Sequence, residues 1–363
     1  MKVVIAGGGT GGHLYPGLAL AETFMKTLPE TKILFIGTAH GIGSSPIPQQ
    51  GFRFETVTAT GFVGKGLFAR LRSILSIPAG LSQSLRILKR FSPQLVIGIG
   101  GYVAVPVMLA AALLKIKRVI LEPNVMPGLV NQVVAPLCHL VVTTFEASNA
   151  QLHSKRIKRL GIPVRPEITR PGLIERKEGV KTLLILGGSQ GARSINQAMC
   201  AALPLLAEKT SSVSIIHQTG KSDFDATRAA YDAAGVQAEV APFIDDMGTA
   251  YAKADLVISR AGAGTLSELG VTGKPSVLIP FPHAGGHQIA NAKAFISAGA
   301  SVMILDEDLS GEALAETILG LLSDSVKLQK MSAAAKRQGN PNAAEDIVKS
   351  CLALTEKDRT GHV

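Results

Sequence analysis

The sequence predicts an α/β protein made of two Rossmann-like domains. At 363 residues the chain is longer than a single hydrophobic core usually grows. Apolar residues make up 46% and charged residues 18%, with 38 glycines and no tryptophan, a composition typical of α/β proteins. Both halves also contain apolar strands that run directly into glycine loops and then helices, so a duplicated architecture is expected.

Four apolar segments followed by glycines define this duplication. They are Val3–Ala6 before Gly7–Gly12 and Leu95–Ile97 before Gly100–Gly101 in the first half, and Thr182–Leu186 before Gly187–Gly191 and Leu256–Ile258 before Gly262 and Gly264 in the second. Apolar strands alternating with helices form parallel sheets covered on both faces, and ligands bind beyond the carboxyl ends of the strands. We therefore predict two sheets facing each other across a cleft lined with glycine loops.

The expected domain boundary lies near Gly161–Val164, after a basic run and before a proline-punctuated stretch. It gives an N-terminal domain at residues 1–163, a C-terminal domain at 164–340, and a helix with a frayed tail at 341–363. The uncharged stretch Leu95–Leu114 reaches the length of a transmembrane helix, but glycines and a proline interrupt it. A buried strand, a glycine turn and a short core helix explain it better.

The cysteines and the N-terminus indicate the cytoplasm. Cys138, Cys200 and Cys351 are far apart and form no CxxC pair, which argues against a zinc knuckle or a disulfide framework. Only four apolar residues follow Lys2 before the first glycine, too few for the apolar region of a signal peptide.

The formal charge of +10 is concentrated in the first half of the chain. Residues 1–163 carry 17 Lys and Arg against 5 Asp and Glu, whereas residues 164–363 carry 20 against 22. No acidic residue occurs from Thr56 to Leu121. Such a surface attracts anions, but a nucleic-acid partner is disfavoured because no binding motif is present and aromatic residues are scarce.

An anionic membrane surface is the favoured partner of this basic domain. Apolar residues fall near helical spacing from Phe62 to Ile77, beside Arg70 and Arg72, as in helices that lie in a bilayer interface. Each basic residue near an anionic leaflet adds about 1 kcal/mol of attraction, so a few suffice for peripheral attachment. An ordinary amphipathic helix packed against the core remains the alternative.

The first glycine loop matches the dinucleotide fingerprint G-x-G-x-x-G at Gly7, Gly9 and Gly12. A nicotinamide enzyme is disfavoured because the second strand, Ile33–Ile36, ends without the carboxylate that would hold a ribose. The loop and the helix after it still favour a phosphate or a diphosphate. His13 follows at the helix start, where a histidine can act as a general base, although a structural role stays open.

The loop Gly187–Gly191 also fits the G-x-S-x-G nucleophile elbow, so a serine hydrolase using Ser189 is an alternative. Asp255, with His283 or His287, has the chain order that such a triad needs. No oxyanion motif of the HGGG type precedes the loop, and its similarity to the first glycine loop favours phosphate binding.

Three further segments carry polar groups suited to a sugar nucleotide. Asp223 and Asp225 spell D-x-D, which can hold a divalent cation, but a solvated helix start is the favoured interpretation. Ala263–Glu268 opens a helix after a strand and offers amides, hydroxyls and one carboxylate, the last suited to ribose hydroxyls. His287–Gln288 and Asn291 add amide groups suited to a sugar.

Seven segments, in this order, resemble one family closely. They are Gly7–His13, Gly98–Val103, Pro127–Asn131, Gly187–Ala192, Phe243–Met247, Arg260–Glu268 and His287–Gln288. Each is weak evidence alone, but together they cover nearly the whole chain. The chain resembles the MurG family, which transfers N-acetylglucosamine from UDP to undecaprenyl-diphosphate-MurNAc-pentapeptide in peptidoglycan synthesis.

This resemblance implies a glycosyltransferase-B fold and an inverting reaction without metal or other cofactor. It also implies a peripheral location on the cytoplasmic face of the inner membrane, and a role in cell-wall biogenesis and thereby in cell shape and division. The N-terminal domain would bind the acceptor and the membrane, and the C-terminal domain would bind the UDP-sugar. Another UDP-sugar transferase acting on a membrane glycolipid is the alternative within this class.

The resemblance also assigns site residues. On the donor side it implies Ala263, Gly264, Thr265, Leu266, Ser267 and Glu268 at the diphosphate and ribose, Ser189 and Arg165 at phosphate, the backbone of Ile244 at uracil, and Asn124 and Gln288 at N-acetylglucosamine. On the acceptor side it implies Thr10, Gly11, Gly12, Gly100, Gly101 and Tyr102 at the reacting sugar and the acceptor diphosphate, with His13 as the base.

The chain departs from the family pattern at three places. Leu121-Glu122-Pro123-Asn124 stands where the family usually has His-Glu-Gln-Asn. Gly285-Gly286 replaces acidic residues before the His-Gln pair, and Gly43 replaces a Glu. The first two changes alter loops beside predicted ligand contacts.

Overall fold

The computed structural model describes residues 1–7, 11–38, 47, 50–59, 67–170, 179–188, 190–207 and 213–356, and for residues 11–13 and 67–77 the backbone alone. It separates the chain into two compact units. The first unit comprises Met1–Val164 with Asn342–Val363, and the second comprises Arg165–Pro341.

Strands and helices alternate along most of the described chain. In the first unit they are β1 (Lys2–Gly7), α1 (Gly11–Thr27), β2 (Lys32–Gly37), β3 (Arg53–Thr56), α2 (Leu67–Phe91), β4 (Leu95–Gly100), α3 (Ala104–Leu113), β5 (Lys117–Glu122), α4 (Leu129–Val134), β6 (Leu140–Thr143) and β7 (Ile157–Arg159), with short 3₁₀ helices at Ala135–Leu137 and Glu146–Gln151. In the second unit they are α5 (Pro166–Thr169), β8 (Lys181–Leu186), α6 (Arg193–Ala207), β9 (Val213–Gln218), α7 (Phe224–Ala233), β10 (Ala238–Ala241), α8 (Met247–Lys253), β11 (Leu256–Ser259), α9 (Ala263–Thr272), β12 (Ser276–Leu278), α10 (His287–Ser297), β13 (Ser301–Met303), α11 (Gly311–Ser323) and α12 (Ser325–Lys336). The last helix, α13 (Ala343–Glu356), belongs to the first unit and packs against α1.

Each unit is built on a parallel sheet. The strand order is β3-β2-β1-β4-β5-β6-β7 in the first unit and β10-β9-β8-β11-β12-β13 in the second. In the first sheet the chain order reverses between β1 and β4, and in the second it reverses between β8 and β11. Open α/β sheets bind ligands at this switch point, beyond the carboxyl ends of the strands.

Helices cover both faces of the first sheet because its strands are apolar on both sides. In β1, Val3 and Ile5 face a cluster that includes residues of α1 and α13, while Val4 faces a cluster with residues of α2 and α3. All three side chains are fully buried. Such continuous apolar strands are the pattern expected of parallel sheets.

The fold class predicted from the sequence is confirmed. The apolar segments expected to form strands do so, and the stretch 95–114 divides into β4, a turn and the short helix α3. Among the described residues, no helix combines the length and the apolar character that crossing a membrane requires. Of the predicted interfacial segment Phe62–Ile77, residues 62–66 and all the side chains lie outside the described part of the chain.

Candidate active site

The N-terminus of helix α9 lies at the switch point of the second sheet. Gly262, in extended conformation, caps the helix, and the first helical hydrogen bond runs from the Leu266 amide to the Gly262 carbonyl at 2.9 Å. The amides of Ala263, Gly264 and Thr265 precede that bond, so the helix itself offers them no acceptor. They lie at the positive end of the helix dipole, which favours an anion such as a diphosphate.

Side chains would find free space at two glycines of this helix start. A Cβ atom built on Gly264 would have no heavy atom within 4 Å, and one on Gly262 would meet only the Thr265 hydroxyl, at 3.9 Å. Behind them, the Ser267 hydroxyl donates to the Ala263 carbonyl at 3.0 Å, inside the helix. The first two turns of α9 therefore combine open backbone donors with a side chain that stabilises the helix start.

Glu268 is held by two side chains from other helices or their flanks. Its Oε1 atom lies 3.4 Å from Nη2 of Arg165, and its Oε2 atom accepts a hydrogen bond from the Tyr251 hydroxyl at 2.9 Å. Arg165 precedes α5, and its Nε atom lies 3.6 Å from Oε1 of Glu167. The carboxylate is thus fixed, and 17% of its side chain remains exposed.

Burial dominates the electrostatics of this carboxyl. It raises the pKa of Glu268 above the ordinary value of 4.5, although the charge of Arg165 and the hydrogen bonds from Tyr251 and Arg165 act to lower it. Burial likewise raises the pKa of the Tyr251 phenol, which therefore stays a protonated donor at neutral pH. A carboxylate with a fixed donor on one side suits the vicinal hydroxyls of a ribose.

The glycine loop after β8 packs tightly on the turn after β9. Gly191 has φ +83° and Gly220 has φ +79°, and a Cβ on Gly220 would lie 2.6 Å from the Gly191 Cα atom. Glycine is therefore required at both positions for steric and conformational reasons. Ser189, predicted to contact phosphate from this loop, lies outside the described residues.

The Ile244 backbone lies beside the same loop. Its amide donates to Oε1 of Gln218 at 3.0 Å, and Nε2 of Gln218 donates to the Gly188 carbonyl at 2.9 Å. Asp246 then caps helix α8 by accepting from the Thr249 amide at 2.9 Å. Gln218 at the end of β9 therefore connects the glycine loop to the segment predicted to bind uracil.

Gln288 stands in the first turn of α10. Its Oε1 atom accepts from the Phe281 amide at 2.9 Å. Asn291, one turn later, is fully buried and donates to the Ala261 carbonyl at 3.2 Å, just before α9. Gln288 is thus oriented by the loop that precedes its own helix, whereas Asn291 fastens α10 to the turn before α9.

The glycine segments of the first unit also flank its switch point. Gly7 ends β1 and pairs with Gly100 at the end of β4. Gly11 and Gly12 open helix α1, and Gly100 and Gly101 have φ values of +110° and +80° in the turn that leads to α3. Tyr102 follows in this turn, partly exposed. The backbone of His13 lies in the first turn of α1, but its side chain and all of Thr10 fall outside the described part of the chain.

Glu122, at the end of β5, organises the loop that carries Asn124. The Glu122 carboxylate is buried and accepts from the Asn124 amide at 2.8 Å, the Gly128 amide at 2.9 Å and Nδ2 of Asn131 at 2.8 Å. Burial raises the pKa of Glu122, while these hydrogen bonds lower it. These three hydrogen bonds to the Glu122 carboxylate, from Asn124, Gly128 and Asn131, thus fix the loop despite the proline at position 123.

The serine-hydrolase interpretation is wrong, because its expected acid, Asp255, lies at the opposite end of strand β8 from the loop that carries Ser189. Asp255 precedes β11 and accepts from the Thr182 amide at 2.8 Å, at the amino end of β8. The loop that carries Ser189 follows the carboxyl end of β8. From Thr182 to Leu186 the strand advances four residues, about 13 Å at 3.3 Å per residue, which is too far for the hydrogen bonds of a triad.

The D-x-D segment does not present two carboxylates together. Asp223 accepts from Nδ2 of Asn196 at 2.9 Å, whereas Asp225 is exposed in the first turn of α7. Within the part of the chain that the structure describes, no three His, Cys, Asp or Glu side chains are grouped as metal ligands.

Two further residues shape the site, and neither was predicted from the sequence. Tyr251 contacts Glu268 from α8, and no local pattern marks it. Gln218 could have been found, because it is a polar residue at the carboxyl end of an apolar strand. That position places a side chain at the ligand-binding edge of a parallel sheet.

The two units match the two domains of one enzyme family. Residues 3–143 match the glycosyltransferase family 28 N-terminal domain, and residues 182–347 match the family's C-terminal domain. The chain is similar to UDP-N-acetylglucosamine–N-acetylmuramyl-(pentapeptide) pyrophosphoryl-undecaprenol N-acetylglucosamine transferases. It is 43% identical over 356 residues to that of Myxococcus xanthus, with 98% of this chain and 93% of the relative covered. It is also 43% identical over 352 residues to that of Geotalea daltonii, with 96% of each covered.

Solved structures show the same architecture. The structure is similar to that of Acinetobacter baumannii MurG, with a TM-score of 0.79, 28% identity, and 98% of this chain and 99% of the other covered. It also shares its fold with the UDP-GlcNAc 2-epimerase from Neisseria meningitidis, at a TM-score of 0.68 and 14% identity, with 97% and 100% covered.

Proposed function

The chain belongs to the MurG family within glycosyltransferase family 28, and from this membership we propose that it transfers N-acetylglucosamine from UDP-N-acetylglucosamine to undecaprenyl-diphosphate-MurNAc-pentapeptide. The MurNAc 4-hydroxyl attacks C1 of the donor sugar, the configuration at C1 inverts, and UDP leaves. The observation that carries this proposal is the start of helix α9, where open backbone amides and the fixed Glu268 carboxylate occur together.

The leaving UDP is stabilised by the protein's own dipoles. As the bond to C1 breaks, negative charge grows on the diphosphate, and the amides of Ala263, Gly264 and Thr265 face that charge at a helix N-terminus. Leu266 and Ser267 complete this turn. Arg165 and Ser189 add contacts to phosphate. This arrangement lowers the barrier without requiring a metal ion.

The uridine and the sugar use other parts of the second unit. Glu268 accepts hydrogen bonds from the ribose hydroxyls, and the Ile244 backbone contacts uracil, held there by Gln218 and the cap of helix α8. Gln288 contacts N-acetylglucosamine. In the first unit, Asn124 serves the same sugar on a loop fixed by Glu122.

The acceptor binds to the first unit. Gly11 and Gly12 at the start of α1, with Thr10, hold the acceptor diphosphate in the manner of a helix N-terminus. The turn Gly100–Tyr102 lines the neighbouring strand end. His13 acts as the base that takes the proton of the 4-hydroxyl.

The lipid acceptor requires the enzyme to reach a membrane. We propose peripheral binding to an anionic surface on the cytoplasmic face of the cell membrane, through the basic N-terminal domain. The excess of Lys and Arg in residues 1–163 supports this. With this location the enzyme serves cell-wall synthesis, and thereby cell shape and division.

A transfer assay tests the function. The purified chain is incubated with labelled UDP-N-acetylglucosamine, UDP-N-acetylgalactosamine or UDP-glucose and with undecaprenyl-diphosphate-MurNAc-pentapeptide in vesicles. We expect label on the lipid from the first donor. Label from another donor, or onto another glycolipid alone, would favour a different UDP-sugar transferase.

The His13→Gln variant tests the base in the same assay. Its transfer rate is expected to fall by at least about 10²-fold, the usual contribution of a general base, while donor affinity stays within about threefold. Equal loss of rate and donor affinity would reject this role. An ester substrate run in parallel should not be cleaved.

A further inference from the structure

Arg260 follows strand β11, and its guanidinium lies at the centre of a polar cluster in the second unit. Its Nη1 atom donates to the carbonyl oxygens of Ile279 at 3.2 Å and Pro280 at 3.5 Å. The same nitrogen pairs with the Asp306 carboxylate, and Nη2 donates to the Ser194 hydroxyl at 2.7 Å. One side chain thus connects the ends of three strands and the start of helix α6.

The cluster is sheltered from water. The Arg260 side chain is 15% exposed and the Asp306 side chain 24% exposed, and the Ser194 hydroxyl donates to Oδ1 of Asp306 at 2.8 Å. Burial acts to raise the pKa of Asp306, but hydrogen bonds from Arg260 and Ser194 outweigh it and lower that pKa. The ion pair is therefore stronger than one on an open surface.

The loop from Ile279 to Gly286 depends on this cluster. Arg260 binds the two carbonyls that directly precede Phe281, and its guanidinium carbon lies 5.3 Å from the centre of the Phe281 ring. The Phe281 amide in turn donates to Oε1 of Gln288 at 2.9 Å. A continuous chain of contacts thus runs from Arg260 through Phe281 to the Gln288 carboxamide.

The far end of this loop forms turns, in which the Ala284 amide donates to the Phe281 carbonyl at 3.3 Å and the His287 amide donates to the Ala284 carbonyl at 3.2 Å. Gly285 has φ +58° and Gly286 has φ +81°, directly before helix α10. Glycines at positive φ lose more conformational freedom on ordering than other residues do. The contacts that Arg260 makes at the start of the loop add to these backbone bonds in fixing its position.

We propose that Arg260 is a positioning residue for the donor sugar. It holds the segment Ile279–Phe281 so that the Phe281 amide fixes the Gln288 carboxamide for contact with N-acetylglucosamine. This inference rests on the proposed function, in which Gln288 binds that sugar. The uridine diphosphate part of the donor binds at helix α9 and Glu268, so its affinity depends less on Arg260.

Titration calorimetry with UDP and with UDP-N-acetylglucosamine separates the two parts of the donor. The readout is the ratio of the Kd for UDP to the Kd for UDP-N-acetylglucosamine. In Arg260→Gln we expect this ratio to fall by up to about tenfold, the upper range for one lost neutral hydrogen bond from the Gln288 carboxamide to the sugar, while the Kd for UDP changes less than about threefold. Arg228→Gln removes an exposed arginine of helix α7 and should leave both values unchanged.

A conservative variant guards against misfolding. Arg260→Lys keeps the positive charge beside Asp306 but loses the planar fork that binds several acceptors at once. Its ratio should fall at least about threefold, and it decides the question if Arg260→Gln does not fold. An unchanged ratio, or equal weakening of both nucleotides, would overturn the role of Arg260. A wild-type chain that binds UDP and UDP-N-acetylglucosamine with the same Kd would also overturn this role. A wild-type chain that binds neither nucleotide would instead reject the proposed function itself.

Discussion

Oε1 of Glu268 lies 3.4 Å from Nη2 of Arg165, while Oε2 of the same carboxylate accepts from the Tyr251 hydroxyl at 2.9 Å. The three side chains come from α9, from the residue before α5 and from α8. Their arrangement fixes a carboxylate one turn away from the open amides of α9, where a nucleotide diphosphate and its ribose would lie.

Glu268→Gln is expected to weaken UDP binding about 10- to 100-fold. Hydrogen bonds to a charged group contribute about 1.5–3 kcal/mol, and the amide accepts more weakly from ribose hydroxyls. Calorimetry with UDP measures the loss, and Glu239→Gln, at an exposed position of β10, is the matched control. Unchanged affinity would remove Glu268 from the ribose site.

Donor binding should weaken in mild acid because burial raises the pKa of Glu268. The ribose hydroxyls prefer the ionised carboxylate, so affinity is present above that pKa and falls about tenfold per pH unit below it. UDP-N-acetylglucosamine is the suitable ligand, because its diphosphate lacks the terminal phosphate that titrates near pH 6 in UDP. The pH dependence should flatten in Glu268→Gln; an identical profile in both proteins would assign the effect to another group.

Gly191→Ala should destabilise the second unit more than Gly188→Ala. Both glycines have positive φ, +83° and +74°, so each alanine adds about 1–2 kcal/mol of backbone strain. A Cβ at Gly191 would overlap the Thr219 carbonyl oxygen, whereas one at Gly188 would meet nothing within 4 Å. We expect a total loss of at least about 3 kcal/mol at Gly191, measured by urea unfolding. Equal losses would mean that the loop shifts to accept the methyl group.

Lys115→Gly is expected to stabilise the first unit by about 0.5–1 kcal/mol. Lys115 has φ +55° in the turn after α3, where the Ile116 amide donates to the Ala111 carbonyl at 2.9 Å. Relief of about 1–2 kcal/mol of strain outweighs about 0.5–1 kcal/mol of added freedom in the unfolded chain. Lys115→Ala keeps the strain and should change little in urea unfolding. If alanine stabilised as much as glycine, loss of the charge rather than the backbone would be the cause.

The strands were predictable because their signal is local, whereas the contacts within the site were not. The segment Leu256–Ile258 and the residues after it predict a strand, a turn and a helix within about a dozen positions. This order alone places Glu268 near the carboxyl end of a strand, where parallel sheets bind ligands. Its partner Tyr251 comes from the preceding helix, and Arg165 from more than a hundred residues away. Such pairings are set by tertiary packing, which periodicity does not encode.

The buried histidine of the second unit should make stability depend on pH. His217 is fully buried, with Nδ1 3.1 Å from the Tyr231 hydroxyl and Nε2 3.1 Å from Oδ1 of Asn196. Burial lowers the pKa of His217 from 6.5 to about 4 in the folded protein. Between these values the unfolded chain binds a proton that the folded chain does not, so stability is full above pH 6.5 and falls as the pH drops toward 4, by about 3 kcal/mol in all.

Urea unfolding at pH 7, 6 and 5 measures this loss of stability, with His217→Gln as the test variant and His153→Gln, at an exposed histidine, as its control. His217→Gln lacks the titrating ring, so its stability deficit relative to the wild type should shrink as the pH falls, while His153→Gln should follow the wild type. A deficit that stays constant from pH 7 to 5 would show that folding does not lower the pKa of His217.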